Sequence, residues 1–193
     1  MPMGLKALTR VLHADERPQL LAHLLALDEE DRRLRFAHSI SDDGVRHYVE
    51  GIDLSRDAVF VVTDTNLAIV GAAHLAREDG QAELGMSVLP QNRGHGVGGM
   101  LLERCAARAR NWGVRAMFMN CLVENAAMMH LAHKQGLKIA VSGAEAEAFV
   151  RLPRPDLKTL ATDAAVADHF GLFDHAQKSY WLALQAQLPQ RGI

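Results

Sequence analysis

The segment from residue 90 to 99 restricts the fold more than any other part of the chain. Four glycines fall within six residues there: Gly94, Gly96, Gly98 and Gly99. An apolar run typical of a strand precedes them at 82–89, and a helical pattern follows from Val97 to Asn111. Glycines let backbone approach a ligand without a side-chain clash, and free N–H groups at a helix start attract anions. The segment therefore predicts a strand–loop–helix unit that binds a phosphate-bearing ligand.

Two other phosphate-binding motifs fit this segment poorly. A Walker A loop ends in Gly-Lys-Ser/Thr, whereas Gly98-Gly99-Met100 stands here. The dinucleotide fingerprint aligns as Gly94-x-Gly96-x-x-Gly99, but it requires an acidic residue about 20 positions on, after a second strand. Glu103 lies in the predicted helix, and Glu124 lies too far along the chain. The sequence disfavours both an ATP loop and a dinucleotide site.

The rest of the chain alternates between strand and helix patterns. Before residue 58 we expect a short strand at 5–12 and helices over 20–27, 28–36 and after Ser41. Three consecutive apolar runs then predict strands at 58–63, 67–75 and 82–89. After the helix at 97–111, the pattern predicts a strand at 115–123, a helix at 126–135 and strands at 137–141 and 146–152. This order is typical of an α/β protein with a mixed sheet flanked by helices.

Two motifs in this order resemble the GCN5-related N-acetyltransferase (GNAT) family. The pattern Pro-x-x-Arg-Gly-x-Gly-x-Gly resembles the loop that holds the pyrophosphate of acetyl-CoA in that family. Arg93, Gly96 and Gly98 occupy the positions of the family's Arg/Gln-x-x-Gly-x-Gly motif. Downstream, the segment 125–137 resembles the family's Asn-x-x-Ala-x-x-Leu-Tyr-x-x-x-Gly-Phe box.

This resemblance implies a GNAT fold over residues 1–152, with splayed strands in a mixed central sheet, and a helical extension over 153–193. It implies acetyl-CoA as the cosubstrate, with pantetheine between the splayed strands. The main chain of Met86, Ser87 and Val88 would pair with the pantetheine amides, and Asn125 would contact the pantetheine arm. The pyrophosphate would be held by N–H groups of Arg93, Gly94, His95, Gly96, Val97, Gly98 and Gly99.

Two catalytic positions of the family carry other residues here. Many members have a tyrosine acid at the position of Ala132 and a glutamate base at the position of Asn120. Glu83 remains as the candidate base, because period-2 alternation puts it on one strand face with Gly85 and Ser87. An ammonium must lose a proton before it attacks a thioester, so a base is needed. We therefore expect direct N-acetyl transfer with Glu83 as general base; the alternative is a catalytically idle acyl-CoA-binding regulatory module.

A narrower resemblance concerns the acceptor. Bacterial protein-lysine acetyltransferase domains often read Glu-Asn-x-x-Met-x-x-Leu-Ala, as the segment 124–132 does here. The stretch 32–36 is similar to their Arg-x-x-Arg-Phe stretch, and they too have a strand glutamate as the proposed base. The resemblance implies an amine acceptor, either a protein lysine or a small molecule, with the lysine slightly favoured.

Composition and residue spacing predict that several kinds of binding site and targeting segment are absent. Formal charge is −2, so no global electrostatic attraction to nucleic acid or an anionic membrane exists. No run of about 18 apolar residues and no signal peptide is evident, so we expect a cytoplasmic protein. Cys105 and Cys121 lack a metal-binding spacing, and His130 with His133 lacks a third ligand, so no metal is expected.

The end of the chain carries one further pattern. Pro153 and Pro155 mark a change in composition, and the following residues show a mostly helical pattern. Its apolar stripe is a candidate docking face for its own domain or for a second subunit: Tyr180, Trp181, Leu184 and Leu188. A homodimer through this extension is the expected oligomer if the stripe faces outward.

Overall fold

The computed structural model describes residues 9–163 together with residues 176, 178–180 and 183. Its first part contains β1 (Arg10–Val11), α1 (Arg17–Leu25), α2 (Glu29–Phe36) and α3 (Asp42–Gly51). The central part contains β2 (Ala58–Thr63), β3 (Ile69–Glu78), β4 (Gln81–Val88), α4 (Val97–Asn111) and β5 (Ala116–Leu122). The last part contains α5 (Ala126–Lys134), β6 (Lys138–Ser142), β7 (Glu145–Arg151) and α6 (Leu157–Asp163).

The strands of the described residues form one mixed sheet in the order β1-β2-β3-β4-β5-β7-β6. β3 and β4 pair antiparallel along the whole of β4, from Gly71 opposite Val88 to Glu78 opposite Gln81. β4 and β5 pair in parallel, but only at residues 81–83 and 116–118. Beyond Glu83 the two strands diverge, while β5 stays paired with β7 over its full length. The expected mixed sheet with splayed strands is confirmed.

Each face of the sheet has its own apolar core, because successive strand residues point to opposite faces. On one face, α4 and α5 cover a core that includes the buried side chains of Phe60, Leu75, Leu84, Met117 and Met119. On the other face, α1 and α3 cover β2 and β3 through a second core that includes Leu20, Leu24, Val45, Val49, Val59 and Val61. This second core does not extend over β4 and β5, so their side chains on that face remain accessible.

Local side-chain caps start the helices where the sequence changes from loop to helix. Asp28 accepts a hydrogen bond from the Asp31 N–H at the start of α2, and Ser41 accepts one from the Gly44 N–H at the start of α3. Such caps satisfy N–H groups that have no partner within the helix. The highly charged α2 has no fully buried residue, and it is held by polar contacts together with Phe36, which packs partly buried against the second core.

The expected element order agrees with the structure, and most boundaries agree within two residues. β3 starts at Ile69 instead of Leu67, because Leu67 lies in the preceding turn with φ 65°. The Asp64 carboxylate accepts hydrogen bonds from the N–H groups of Asn66 and Ala68 and fixes that turn. At the other end, the expected strand over 5–12 is described only at Arg10 and Val11, and residues 1–8 lie outside the described part.

The described start of the C-terminal extension packs on α4. Arg110 donates to the Arg154 carbonyl at 2.7 Å and to Asp156 Oδ2 at 2.8 Å. Asn111 donates to the carbonyl of Thr159, which is buried. Of the proposed apolar stripe, Tyr180 is exposed, whereas Trp181, Leu184 and Leu188 lie outside the described residues. No helix in the described part of the chain combines the length and apolarity required to span a membrane.

The contact between β3 and α4 gives a test of this packing. A Cβ atom at Gly71 would lie 2.6 Å from Val97 Cγ1 and 3.3 Å from Leu101 Cδ1. We therefore expect Gly71→Ala to lower the free energy of unfolding by about 1–3 kcal/mol, as overpacked cores do. Urea unfolding would measure the change.

Gly51→Ala is the matched control, because a Cβ atom at Gly51 has no neighbour within 4 Å. The control should leave stability unchanged or raise it slightly. Equal stability of the two variants would contradict the described packing of α4 on β3.

Candidate active site

The gap between β4 and β5 forms a slot whose β4 side is lined by backbone that has no partner on β5. Leu89 N donates to the Val70 carbonyl on β3, and the Arg115 N–H donates to the Gly80 carbonyl from the β5 side. Because peptide groups alternate between the two edges of a strand, Met86 and Val88 direct their N–H and C=O groups to the slot. By the same alternation the peptide groups of Ser87 face β3. The family resemblance implies that the main chains of Met86, Ser87 and Val88 all face the slot. The pairing register between β3 and β4 gives that orientation to Met86 and Val88.

The glycine loop lies at the open end of this slot. Gly94 and Gly96 have φ of 77° and 83°, a conformation that favours glycine, and a Cβ atom at either would have no neighbour within 4 Å. Met100 N donates to the Gly96 carbonyl as the first bond of α4. Among the described residues, the N–H groups from 94 to 99 donate to no backbone carbonyl. They are therefore available to an anion, whereas Arg93 N already donates to the Pro90 carbonyl.

The side chains of two residues that were expected at the ligand, Arg93 through its N–H group and Asn125 at the pantetheine arm, hold α2 in this structure. Arg93 Nη2 forms an ion pair with Asp31 Oδ2 at 2.7 Å, and its Nε donates to the Val88 carbonyl. Asn125 caps α5 by accepting from the Met128 N–H, and its Nδ2 lies 3.4 Å from the Leu34 carbonyl. The side chain of His95 is exposed in the loop.

Helix α2 crosses the slot on the face that the second core leaves uncovered. It contacts both β4 and β5. Besides the contacts of Asp31 and Leu34, its Arg33 donates to Glu124 Oε1 at 2.7 Å, just after β5. The helix is thus tied to the glycine loop at one side of the slot and to the β5–α5 turn at the other.

Glu83 lies at the closed end of the slot, on the last residue of β4 that pairs with β5. Its side chain is exposed, and its Oε1 accepts a hydrogen bond from Asn120 Nδ2 at 3.1 Å. Asn120 therefore orients the carboxylate. From the sequence, Glu83 is the candidate base and Asn120 is the position where the family's glutamate base is replaced, and the fold makes the two residues neighbours.

A buried histidine contacts Ser87 beneath the slot. His23 is 3% exposed, and its Nδ1 and Nε2 lie 2.9 Å from the Ile69 carbonyl and from Ser87 Oγ. A carbonyl only accepts, so Nδ1 carries the proton and the Ser87 hydroxyl donates to Nε2. Burial, opposed by the hydrogen bond to Ile69, lowers the pKa of His23 to about 4, so the ring is neutral near pH 7.

A second chain of side chains runs from the slot into the protein. Arg35 Nη2 donates to the Tyr48 hydroxyl at 2.8 Å, and Tyr48 donates to His74 Nδ1 at 2.8 Å. His74 Nε2 lies 3.2 Å from Asp57 Oδ2. Because a carboxylate only accepts, Nε2 carries the proton, and this fixes the direction of every bond in the chain.

The inner end of this chain is polar but well satisfied. Burial lowers the pKa of His74, against the raising effect of Asp57. Burial would raise the pKa of Asp57, but hydrogen bonds from Arg56, the Arg77 N–H and His74 lower it overall. At neutral pH the chain therefore holds a neutral imidazole and an ionised carboxylate.

The other family positions carry no acid at the slot. Ala132 is buried in the α4 and α5 core at 1% exposure, and the neighbouring His133 is exposed. Within the described ranges, no group of three or more His, Cys, Asp or Glu side chains could hold a metal ion.

The family assignment rests on a family model. The model described as the acetyltransferase (GNAT) family matches residues 19–137, which is more than half of the chain. The chain belongs to the GNAT family. It is an acetyl-CoA-dependent N-acetyltransferase by that membership. No curated protein matches the sequence.

Solved structures agree with this GNAT assignment at the level of fold. The GNAT domain of PAT from S. lividans has 19% identity and a TM-score of 0.65, over 75% of this chain and 89% of that one. A spermidine N-acetyltransferase from Vibrio cholerae, in complex with CoA and spermine, has 16% identity and a TM-score of 0.58, over 74% and 94%. A Salmonella typhimurium protein, with its cofactor acetyl-CoA, has 20% identity and a TM-score of 0.58, over 77% of this chain and 97% of that one.

The slot of this GNAT enzyme suits acetyl-CoA on structural grounds. Along one edge Met86 offers its N–H and C=O groups and Val88 offers its N–H group, while the Val88 carbonyl accepts from Arg93 Nε. The loop over 94–99 offers free N–H groups at the positive end of α4. Amide groups of a pantetheine arm and a pyrophosphate are complementary to these two features. Acetyl-CoA supplies the activated acetyl group when bound.

Sequence reasoning missed most of the polar groups around the GNAT slot. His23 lies on the apolar face of a helix, His74 lies within an apolar strand, and Asp57 directly precedes a strand. A polar residue in an apolar run is the signal that could have found the two histidines. Nothing local indicates which partners they reach.

The neutral state of His23 makes stability depend on pH. The pKa of His23 is about 4 in the folded GNAT domain and 6.5 in an unfolded chain, so the unfolded chain binds more protons between these values. The His23 contribution to the free energy of unfolding is therefore present above pH 6.5 and should fall by about 3 kcal/mol as pH drops to about 4. Urea unfolding at several pH values would measure this loss.

His23→Gln should remove that loss, so its stability should depend less on pH than the wild-type stability does. His47→Gln is the control, because His47 is exposed on α3. An unchanged pH dependence in His23→Gln would show that His23 is not the group responsible.

The positive φ at Gly96 makes cofactor binding sensitive to one methyl group. In Gly96→Ala the side chain disfavours the left-handed conformation by about 1–2 kcal/mol and would reorient the loop N–H groups. We expect acetyl-CoA affinity to fall by about tenfold or more, measured by calorimetric titration.

Gly113→Ala is the matched control for this backbone strain. Gly113 has φ 74° and open space where a Cβ atom would lie, but it is located beyond the other end of α4. Equal losses of acetyl-CoA affinity in both variants would assign the effect to general destabilisation.

Proposed function

We propose that the protein transfers the acetyl group of acetyl-CoA to a primary amine by direct attack, with Glu83 as general base. The position of Glu83 carries this proposal. It lies where the slot closes, its carboxylate is exposed, and Asn120 orients it. A carboxylate in that place can take a proton from an entering ammonium directly or through one water.

The same proposal assigns acetyl-CoA to the slot and the loop. The peptide groups of Met86 and Val88 would bind the pantetheine arm, and the loop N–H groups would bind the pyrophosphate. Ser87 takes part through its position on the cleft face rather than through its main chain. Arg93 and Asn125 would contribute by holding α2 over the slot, where Asn125 borders the pantetheine arm.

For the acceptor we favour a protein lysine over a small amine. The segments 32–36 and 124–132 support this choice, because they resemble protein-lysine acetyltransferase domains and because they meet across the slot in the Arg33–Glu124 ion pair. The spermidine enzyme from Vibrio cholerae represents the other acceptor class, a small polyamine. Lysine peptides and polyamines are therefore the two acceptor sets to test.

Calorimetric titration of the protein with acetyl-CoA tests the donor assignment, with NADH and ATP as matched phosphate ligands. We expect micromolar affinity for acetyl-CoA and none for the other two. Absence of acetyl-CoA binding would overturn the donor assignment.

Glu83→Gln tests the general base. The substitution keeps size and hydrogen bonding but removes the proton acceptor, so we expect kcat to fall by about 100-fold or more with acetyl-CoA affinity retained. Steady-state release of CoA, with the best acceptor found, would measure it.

Glu103→Gln is the control, because Glu103 is an exposed carboxylate on α4. If Glu83→Gln retains wild-type turnover, Glu83 is not the base. If neither the wild-type protein nor Glu83→Gln acetylates any acceptor while both bind acetyl-CoA, the idle acyl-CoA-binding module becomes the better account.

A further inference from the structure

One requirement of acetyl transfer has no assigned group in this chain. When the amine attacks the thioester carbon, the C–N bond forms and the C–S bond breaks, and its electron pair leaves on sulfur. In the proposed function, on which this inference rests, Glu83 takes the first proton from the entering ammonium and releases it to solvent, because its carboxylate is exposed. Glu83 then takes the second proton from nitrogen once the C–N bond has formed. The family's tyrosine acid is replaced by Ala132, whose methyl group is buried in the core. The negative charge on sulfur therefore needs another source of stabilisation.

Arg35 places a cation at the closed end of the slot. Its guanidinium packs directly on Gly85, so closely that a Cβ atom there would overlap it. Gly85 lies two residues beyond Glu83, the last β4 residue that pairs with β5. The guanidinium thus lies beside the point where the two strands begin to diverge.

The direction of the slot places the thiol end of the ligand near the same point. The anion-binding loop lies after the open end of β4, and the slot closes at Glu83. From Val88 to Gly85 a strand advances about 10 Å. A pantetheine arm that starts at the loop and follows β4 therefore ends in the region of Gly85.

The chain from Arg35 to Asp57 fixes this cation without neutralising it. Tyr48 accepts from Arg35, and its ring and that of Phe36 lie 5.5 Å and 4.9 Å from the guanidinium carbon. Among the described residues, Arg35 forms no ion pair, and its hydrogen bond to Tyr48 is its sole one. Its remaining N–H donors are left for a ligand.

The titratable groups around this position leave the positive charge in place. The Tyr48 hydroxyl donates to His74 Nδ1, and burial lowers the pKa of His74, so its ring is neutral. Asp57 is engaged by Arg56 and by the Arg77 N–H at the far end of the chain. Glu83 is the carboxylate of the slot itself, and it accepts a hydrogen bond from Asn120.

We propose that Arg35 is a catalytic residue that stabilises the thiolate of the departing CoA, with Tyr48 and His74 as its positioning residues. Arg35 transfers no proton; its positive charge and its N–H donors stabilise the sulfur anion while the C–S bond breaks. The acid that the family places at position 132 is then unnecessary for departure of the thiolate.

The pKa of the CoA thiol in the enzyme–CoA complex tests this role without an acceptor or turnover. It is measured by the ultraviolet absorbance of the thiolate during a pH titration, with the desulfo-CoA complex as the reference for adenine and protein. In the wild-type complex we expect a thiol pKa about 1–3 units below that of free CoA, as for a group beside an opposite charge. Arg35→Gln should raise the thiol pKa of the complex by at least one unit, which corresponds to a tenfold loss of thiolate stabilisation.

Three further variants separate charge, position and fold. Arg35→Lys keeps the charge and should retain part of the lowered thiol pKa. Gly85→Ala keeps the arginine but displaces its guanidinium, and should raise the thiol pKa as Arg35→Gln does. Tyr48→Phe removes the anchoring hydroxyl and should give a thiol pKa between those of the wild type and Arg35→Gln. Gly85→Ala and Tyr48→Phe remain informative if Arg35→Gln does not fold.

Arg46→Gln is the matched control, because it removes an arginine from the exposed surface of α3 and should leave the thiol pKa unchanged. If Arg35→Gln or Gly85→Ala binds CoA and keeps the wild-type thiol pKa, the inference is overturned while the proposed function stands. If the wild-type protein does not bind CoA, the proposed function itself fails.

Discussion

The early divergence of β4 and β5 is the constraint on which the rest of the structure depends. An unsatisfied backbone group costs about 1–3 kcal/mol when it is removed from water, so a gap inside a sheet persists only where water or a ligand satisfies its edges. The sheet remains intact because each strand keeps a full partner on its outer side, β3 for β4 and β7 for β5. The gap leaves the peptide groups of Met86 and Val88 without a partner strand next to the glycine loop, and the Arg93 side chain satisfies the Val88 carbonyl.

The two faces of the sheet differ in how they cover this gap. On one face a continuous apolar core joins α4 and α5 to β4 and β5. On the other face α2 covers the gap without a buried residue, tied by Arg33, Asn125 and the Arg93–Asp31 ion pair. Surface ion pairs contribute about 0–1 kcal/mol each, and the apolar anchor of α2 is Phe36, which packs partly buried against the second core. The accessible side of the slot is therefore the side of α2, where Glu83 and Arg35 also lie.

The sequence predicted those features that local pattern determines. Apolar periodicity located the strands and helices, and the glycine spacing located the loop, because both follow from a few neighbouring residues. It also predicted that Glu83 and Gly85 share a face. The contacts of His23, Tyr48 and His74 could not be predicted in this way, because each joins elements that are distant along the chain. Even for Ser87, whose main chain was expected in the slot, the decisive fact was the pairing register with β3.

The side chains that hold Arg35 in place leave its positive charge available to a ligand in the slot. A carboxylate in direct contact would anchor the guanidinium but would also cancel its field at the slot. Here the buried carboxylate of Asp57 contacts Arg35 only through His74 and Tyr48, whose hydrogen bonds fix the orientation of the guanidinium. Asp57 is in turn compensated by Arg56, so the chain carries no unpaired negative charge toward the slot. The cost is the burial of polar groups, which is offset because each bond in the chain has a donor matched to an acceptor.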